Sequence, residues 1–221
     1  MQLSTNFALA VAFLVAYLFG SINFAIIIGK IFTKKDVRDY GSGNAGMTNV
    51  LRSFGKLPAL LTTIGDFFKG VLAIVVGRWV VLLLAGELPA YAEVLLLLPG
   101  LVGHCFPIFH GFRGGKGILV CAGMICVLDW RVLLIILSVF IITVAATRFV
   151  SLGSIFAATA YPISTVLMAL LDKAPTETLL LNGVVSLLAG ALVVFMHRAN
   201  VVRLIKGTES KLSFSKAGKE R

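Results

Sequence analysis

Charge is what this chain has least of. Only 14% of its 221 residues are charged, against about a quarter in a soluble globular domain, and 58% are hydrophobic. With a mean hydropathy of +0.98, the chain reads as an integral membrane protein. Alternating polarity is missing too: the runs 92–98, 132–146 and 179–196 are apolar on both faces, which excludes the dyad pattern of a membrane β-barrel. Cysteine is sparse, and Cys105, Cys121 and Cys126 form no Cys-x-x-Cys pair. A disulfide framework and a thiolate metal centre are excluded, leaving inert buried thiols. The histidines, His104, His110 and His197, are scattered along the chain, so a zinc site finds no ligand set and no metal is expected. Residues 1–6 carry neither Lys nor Arg, and the apolar run 7–29 exceeds a signal-peptide core, so a retained first span is expected instead.

What is present is a succession of long apolar segments. Spans of about 20 residues allow roughly six to eight helices in this length and leave no room for a separate soluble domain. The expected fold is all-α: a polytopic membrane helical bundle of about seven transmembrane helices, N-terminus out and C-terminus in. The spans fall at 7–32, 58–85, 91–109, 117–128, 132–147, 151–171 and 177–196. The fourth is too short for a normal crossing unless part of the preceding loop is helical or dips inward. Pro99, Pro107 and Pro162 are expected to bend their helices. One domain covers 1–211, and a basic cytoplasmic tail, 212–221, is expected to be disordered.

The formal net charge is +10. Its cations border the apolar spans and form no aromatic-interleaved basic face, so nucleic acid is not an expected partner. Of the 20 lysines and arginines, only Arg78, Arg131 and Lys173 fall toward the outer side, the asymmetry demanded by the positive-inside rule. The same topology puts four polar clusters on the cytoplasmic side, at 41–52, 111–117, 148–154 and 197–211.

The first cluster, Gly41-Ser42-Gly43-Asn44-Ala45-Gly46-Met47-Thr48-Asn49-Val50-Leu51-Arg52, places its glycines where backbone can approach a ligand closely. Ser42, Asn44, Thr48, Asn49 and Arg52 add donors suited to phosphate oxygens, so the segment reads as an anion cradle. The second contains Gly114-Gly115-Lys116-Gly117, a fragment of a Walker-type loop without its full spacing or the hydroxyl residue after Lys. Phosphate contact follows from it; nucleotide hydrolysis does not. Ser151 and Ser154 lie three apart at a helix start, placed either to cap the helix or to face the site. Asp66 and Lys69 share one helical face, either pairing to lower the cost of charge near the membrane or holding loops in position. His104 is read as structural, and Lys34, Lys35, Lys216 and Lys219 as topology determinants.

Taken together, Gly41-Ser42-Gly43-Asn44 with Thr48-Asn49-Val50-Leu51-Arg52, Gly103-His104 with Gly111-Phe112-Arg113-Gly114-Gly115-Lys116-Gly117, Ser151-Leu152-Gly153-Ser154, and His197-Arg198 with Asn200 resemble the signature segments of a known family. It is the bacterial acyl-phosphate-dependent glycerol-3-phosphate acyltransferases, and the similarity runs from the first span to Lys211. The resemblance implies a seven-helix enzyme of the bacterial inner membrane with a cytoplasm-facing site. It would transfer a fatty acyl group from acyl phosphate to glycerol-3-phosphate, giving lysophosphatidic acid and phosphate, the first acylation in phospholipid synthesis, without a cofactor. By the same resemblance, Ser42, Gly43, Asn44 and Thr48 hold the acyl-phosphate headgroup. Arg52, Lys116, a serine of the Ser151/Ser154 pair, His197 and Asn200 bind or orient glycerol-3-phosphate. The partners implied are these two substrates and membrane lipid, and no obligate protein partner is predicted. The His-x4-Asp pattern of many other glycerolipid acyltransferases is absent.

An acyl phosphate is a mixed anhydride whose phosphate leaves readily, so orientation and charge stabilisation suffice and no enzyme nucleophile is needed. Direct attack by the C1 hydroxyl is expected, with Asn200 or His197 orienting it as the catalytic groups. No carboxylate stands in these motifs as an obvious general base, so the proton is expected to pass to a substrate phosphate oxygen. Two other readings compete. A transporter or exchanger of a small phosphorylated metabolite would use the basic loops as an anion gate, but needs ionisable groups near midplane in several spans, and only Asp66 and Lys69 come close. A noncatalytic scaffold for anionic lipid accounts for the basic tail but not for the glycine spacing.

Overall fold

Long runs that are apolar on both faces can satisfy their backbone in lipid only as helices. The computed structural model describes residues 4–212, and every regular element among them is helical. In order these are α1 (Thr5–Ser21), α2 (Phe24–Thr33), α3 (Met47–Phe54), α4 (Lys56–Ala85), α5 (Ala92–Cys105), α6 (Ile118–Leu128), α7 (Trp130–Thr147), α8 (Val150–Leu171), α9 (Thr176–Met196) and α10 (Arg198–Ile205), with short 3₁₀ turns at Val37–Asp39 and Ile108–His110. The expected disorder of the tail concerns residues that, from 213 onward, lie outside the described ones.

The all-helical membrane bundle is as expected, with three differences in detail. First, among the described residues six stretches are long and apolar enough to cross a membrane. The remaining apolar helix, α6, has only 11 residues and rises roughly 16 Å, about half of a typical hydrocarbon core. The loop before it folds back on α5: the Gly114 and Gly115 N–H groups donate to the Cys105 and His104 carbonyls, each at 3.2 Å.

Second, the first span, expected to be continuous over 7–32, is two helices. Ile22 turns extended at ψ 110, and the Asn23 side chain caps α2 by accepting from Ile26 N at 3.1 Å. The break frees backbone groups inside the bilayer, which is tolerated only where protein satisfies them. Here the Lys69 ammonium takes the Ile22 carbonyl at 2.5 Å. Third, segments 47–54 and 198–205, read as polar loop, are helical, so Arg52, Asn200 and Arg203 are presented from rigid backbone.

Two groups of helices make up the molecule. α4 packs against α1, α2, α3, α5 and α6, whereas α8 packs between α7 and α9. Small residues let the first group close up. A Cβ on Gly70 of α4 would lie 2.3 Å from the Val120 carbonyl oxygen, and one on Gly123 of α6 would lie 2.0 Å from that of Phe67. These backbones approach to distances that any side chain would forbid. The groups meet where α5 touches α9 and α6 touches α7. At the end expected to face outward, Arg78 pairs with Glu93 at 2.7 Å and Arg131 with Asp129 and Asp172 at 2.8 and 2.5 Å.

Candidate active site

Between the two helix groups lies a cavity of about 240 Å³. Its wall is polar at one end, where Ser42, Asn44, Thr48, Arg52, Lys116, Ser151, Ser154, His197 and Asn200 converge. Away from that end it is apolar, lined by Ile125 of α6, Leu133 and Phe140 of α7, Tyr161 of α8 and Ala189 of α9. Of the residues that the resemblance assigns to the two substrates only Gly43 does not line it; the Gly43 N–H is taken by the Tyr40 carbonyl at 3.0 Å.

The glycine-rich cradle is built around Asn49, which the sequence reading counted among its phosphate donors. Its side chain is instead consumed internally. Nδ2 donates to the carbonyls of Val37 and Tyr40 at 2.9 Å and of Asn44 at 3.1 Å, while Oδ1 accepts from Ser42 N at 2.9 Å. Gly41 makes this possible: at φ +57° it holds the left-handed turn, and a Cβ there would sit 2.3 Å from Asn49 Oδ1. The neighbouring loop 111–117 is fastened by Arg38, which donates to the His110 carbonyl at 2.8 Å and the Arg113 carbonyl at 3.3 Å.

Opposite the cradle, three of the expected glycerol-3-phosphate groups, Ser151, Asn200 and Lys116, form one network around a carboxylate. Glu209, 4% exposed at its side chain, accepts from Ser151 Oγ and Asn200 Nδ2 at 2.8 Å each and from Arg203 Nε at 2.6 Å. Lys116 Nζ donates to Asn200 Oδ1, and Arg52 donates to the Ser210 carbonyl at 3.2 Å. Burial works to raise Glu209, but the hydrogen bonds from Asn200, Arg203 and Ser151 outweigh it and hold the carboxyl below its usual range. Burial, with Arg203 close by, pulls the Lys116 ammonium down to about 8, with Glu209 opposing and Arg52 assisting.

His197 donates from Nδ1 to the Val193 carbonyl at 2.8 Å, because a carbonyl can only accept. Burial pushes this imidazole down to about 4, against the pull of that carbonyl, so it is neutral at pH 7 with its lone pair on Nε2. The two serines separate in role. Neither caps α8, whose first turn has no side-chain cap; Ser154 Oγ donates to the Val150 carbonyl at 2.9 Å, which leaves Ser151 as the serine tied into the network.

Asp66 and Lys69 are buried at the cavity's edge, 2.8 Å apart, and Asp66 and His104 both line it. Among the described residues no cluster of three or more metal-ligating side chains is present. Glu209 and Arg203 lie in the polar cluster 197–211, but the sequence assigns neither of them to a substrate, and Glu209 stands here as a hydrogen-bond acceptor rather than a base. The available signal was that Glu209 is the single acidic residue in the basic stretch 198–211.

A bilayer-embedded helical bundle that joins a cation-rich pocket to an apolar tube defines a class: an integral membrane enzyme bringing a phosphorylated, water-soluble molecule to a lipid chain. The model of the family described as glycerol-3-phosphate acyltransferase matches residues 10–207. A glycerol-3-phosphate acyltransferase of Clostridioides difficile (strain 630) is 37% identical over 212 residues, covering 95% of this chain and 98% of its own. One from Syntrophomonas wolfei is 38% identical over 204 residues, covering 92% and 97%. Crystal structures of PlsY (YgiH), an integral membrane glycerol 3-phosphate acyltransferase, superpose with TM-scores of 0.77 for the glycerol 3-phosphate form and 0.75 for the lysophosphatidic acid form. These are 31% and 30% identical, each covering 93% of this chain and 96% and 95% of the other. The chain belongs to the glycerol-3-phosphate acyltransferase family, and its reaction class is the family's.

Proposed function

We propose that this protein transfers a fatty acyl group from acyl phosphate to the C1 hydroxyl of glycerol-3-phosphate, releasing phosphate and 1-acyl-glycerol-3-phosphate at the cytoplasmic face of the bacterial inner membrane. The observation that carries this reading is the continuity of one cavity from the Ser42–Asn44–Thr48 cradle and the Arg52–Lys116–Asn200 cluster into the apolar lining of α6 to α9. A donor whose headgroup is itself a phosphate suits the cradle, and its chain suits the apolar wall.

In this mechanism the cradle around Ser42, Asn44 and Thr48, with Gly43 in its turn, holds the acyl-phosphate head. Arg52, Lys116, Ser151 and Asn200 hold glycerol-3-phosphate, with Ser154 lining the wall beside them. The neutral His197 offers Nε2 as acceptor for the C1 hydroxyl hydrogen, and Asn200 fixes that hydroxyl's direction. Attack on the carbonyl forms the C–O ester bond and breaks the C–O bond to phosphate, with the proton passing to a phosphate oxygen. Fixed donors aimed at the developing charge are the main contribution asked of the protein. The basic cytoplasmic loops support the N-out, C-in orientation.

The test is purified protein in lipid given palmitoyl phosphate and glycerol-3-phosphate, with phosphate and lysophosphatidate both quantified. Equal release of the two is expected. Product from a thioester donor but none from the acyl phosphate would overturn the donor assignment; transport of glycerol-3-phosphate without product would overturn the enzyme reading.

A further inference from the structure

The sequence reads His104 as structural, yet one nitrogen of its ring has no partner among the described residues. The ammonium of Lys69, itself 2% exposed, makes hydrogen bonds to the Ile22 carbonyl at 2.5 Å and to His104 Nδ1 at 2.9 Å, and pairs in charge with Asp66 Oδ1 at 2.8 Å. An ammonium has three donors and no acceptor, so His104 Nδ1 must accept. The alternative, a proton on Nδ1, would face that ammonium, and Asp66 Oδ1 at 4.0 Å is beyond hydrogen-bond reach. The proton of the neutral ring is therefore on Nε2.

Among the described residues this Nε2–H has no hydrogen-bond partner, and His104 lines the cavity while being 4% exposed. The nitrogen points to the meeting of the two glycine-rich loops. A Cβ on Gly115 would lie 2.3 Å from it, and 2.7 Å from the Ala45 carbonyl oxygen. Glycine at 115 is what lets the imidazole edge reach the cradle. Nε2 is not sealed in protein: with no partner of its own it opens on the cavity, where a ligand oxygen can accept its proton.

We infer that His104 donates from Nε2 to an oxygen of the acyl-phosphate head, and that Lys69 is a positioning residue that fixes the ring in the donating tautomer. Asp66 balances the Lys69 charge, so the three form a relay of orientation from α4 to the cradle with no proton transferred. The assignment rests on acyl phosphate being the donor. It extends the phosphate site beyond the two loops and gives the buried ion pair a role that hydrophobic packing alone would not require.

The experiment has a kinetic and a spectroscopic arm. His104→Ala is expected to lower kcat/KM for palmitoyl phosphate by about 10²-fold, the loss typical of a removed oxyanion donor, with KM for glycerol-3-phosphate within twofold. His104→Gln, whose amide nitrogen stands near the Nε2 position, is expected to recover most of that loss. Equal loss in both variants, or an equal rise in both KM values, would overturn the contact. In wild-type protein, ¹⁵N-histidine spectra assigned by substitution should show His104 protonated at Nε2, with that resonance moving on addition of a palmitoyl phosphonate. Protonation at Nδ1, or an unmoved Nε2 while ³¹P spectra show the phosphonate bound, would overturn it even if the variants fail to fold. Lys69→Met should allow the Nδ1–H form and lose acyl-phosphate use in parallel; an unchanged tautomer would remove Lys69 from the assignment. Failure of the wild type to use palmitoyl phosphate at all would instead strike the donor reading beneath this inference.

Discussion

The Ser151 hydroxyl donates to Glu209 Oε1 at 2.8 Å across 58 residues of sequence. Asn200 shares that oxygen at 2.8 Å and Arg203 holds the other at 2.6 Å. A single carboxylate therefore fixes two of the groups proposed for glycerol-3-phosphate and partly neutralises the cations around them. Glu209→Gln keeps the shape but turns one acceptor into a donor facing Arg203. KM for glycerol-3-phosphate is expected to rise about tenfold, the usual scale for losing a charge-assisted bond, with KM for the acyl donor unchanged. An equal rise in both would show that Glu209 supports the whole fold rather than this half of the site.

Lys116 is expected to set the alkaline limit. Burial pulls its ammonium down to about 8, and a bound phosphate dianion favours the charged form. Below pH 8 the charge is present and affinity for glycerol-3-phosphate is flat. Above it the proton must be taken up on binding, so Kd should climb about tenfold per pH unit. Lys116→Arg stays charged throughout and should abolish that limb while weakening binding overall. Glu209 holds the Lys116 titration up, so Glu209→Gln should move the limb below pH 8. Calorimetric titration across pH 6.5 to 9.5 checks all three; a limb unaffected by either substitution would assign it to another group.

Asn49 separates structure from contact within the cradle. Asn49→Ala leaves the Ser42 N–H without its acceptor and removes the second donor from the carbonyls of Val37, Tyr40 and Asn44, which keep one backbone donor each; an unmade buried bond costs about 1–3 kcal/mol. The variant should melt earlier and lose acyl-phosphate use at least tenfold, while its affinity for glycerol-3-phosphate stays within a few-fold. Thr48→Ala, with no internal bond to lose, should reduce turnover without the fall in melting temperature.

The sequence revealed most of the bundle because apolar length and glycine-rich basic loops are local signals. α4, α7, α8 and α9 start and stop within a few residues of the expected bounds. What it concealed was decided by partners distant in the chain. The break at Ile22 depends on Lys69, 47 residues away; its only local mark is the pair Ser21 and Asn23, a slight interruption of a long apolar run. Asn49 and Thr48 are alike as polar residues in a motif, and both line the cavity; only the fold shows that the Asn49 amide is spent on backbone carbonyls. Glu209 was hidden among cations for the same reason, since its partners lie on α8 and α10.

The apolar end of the cavity predicts chain-length selection. Its deepest lining residues are Ile125, Leu133, Tyr161 and Ala189, one from each of α6 to α9. Tyr161 lies ten residues beyond Ser151 on α8 and Ala189 eight before His197 on α9, or roughly 15 and 12 Å from the polar end. A chain threaded from the cradle ends against these side chains. Ala189, 1% exposed, has the smallest side chain of the four, so Ala189→Leu adds bulk at the end without touching the polar groups. The ratio of kcat/KM for palmitoyl phosphate to that for decanoyl phosphate should fall about tenfold, the loss of one to two kcal/mol expected for displaced methylenes. Tyr161→Ala enlarges the same end and should raise the ratio. Because tight packing makes both variants less stable, only the ratio is diagnostic: an equal drop for both donors would mean that the chain does not reach this wall.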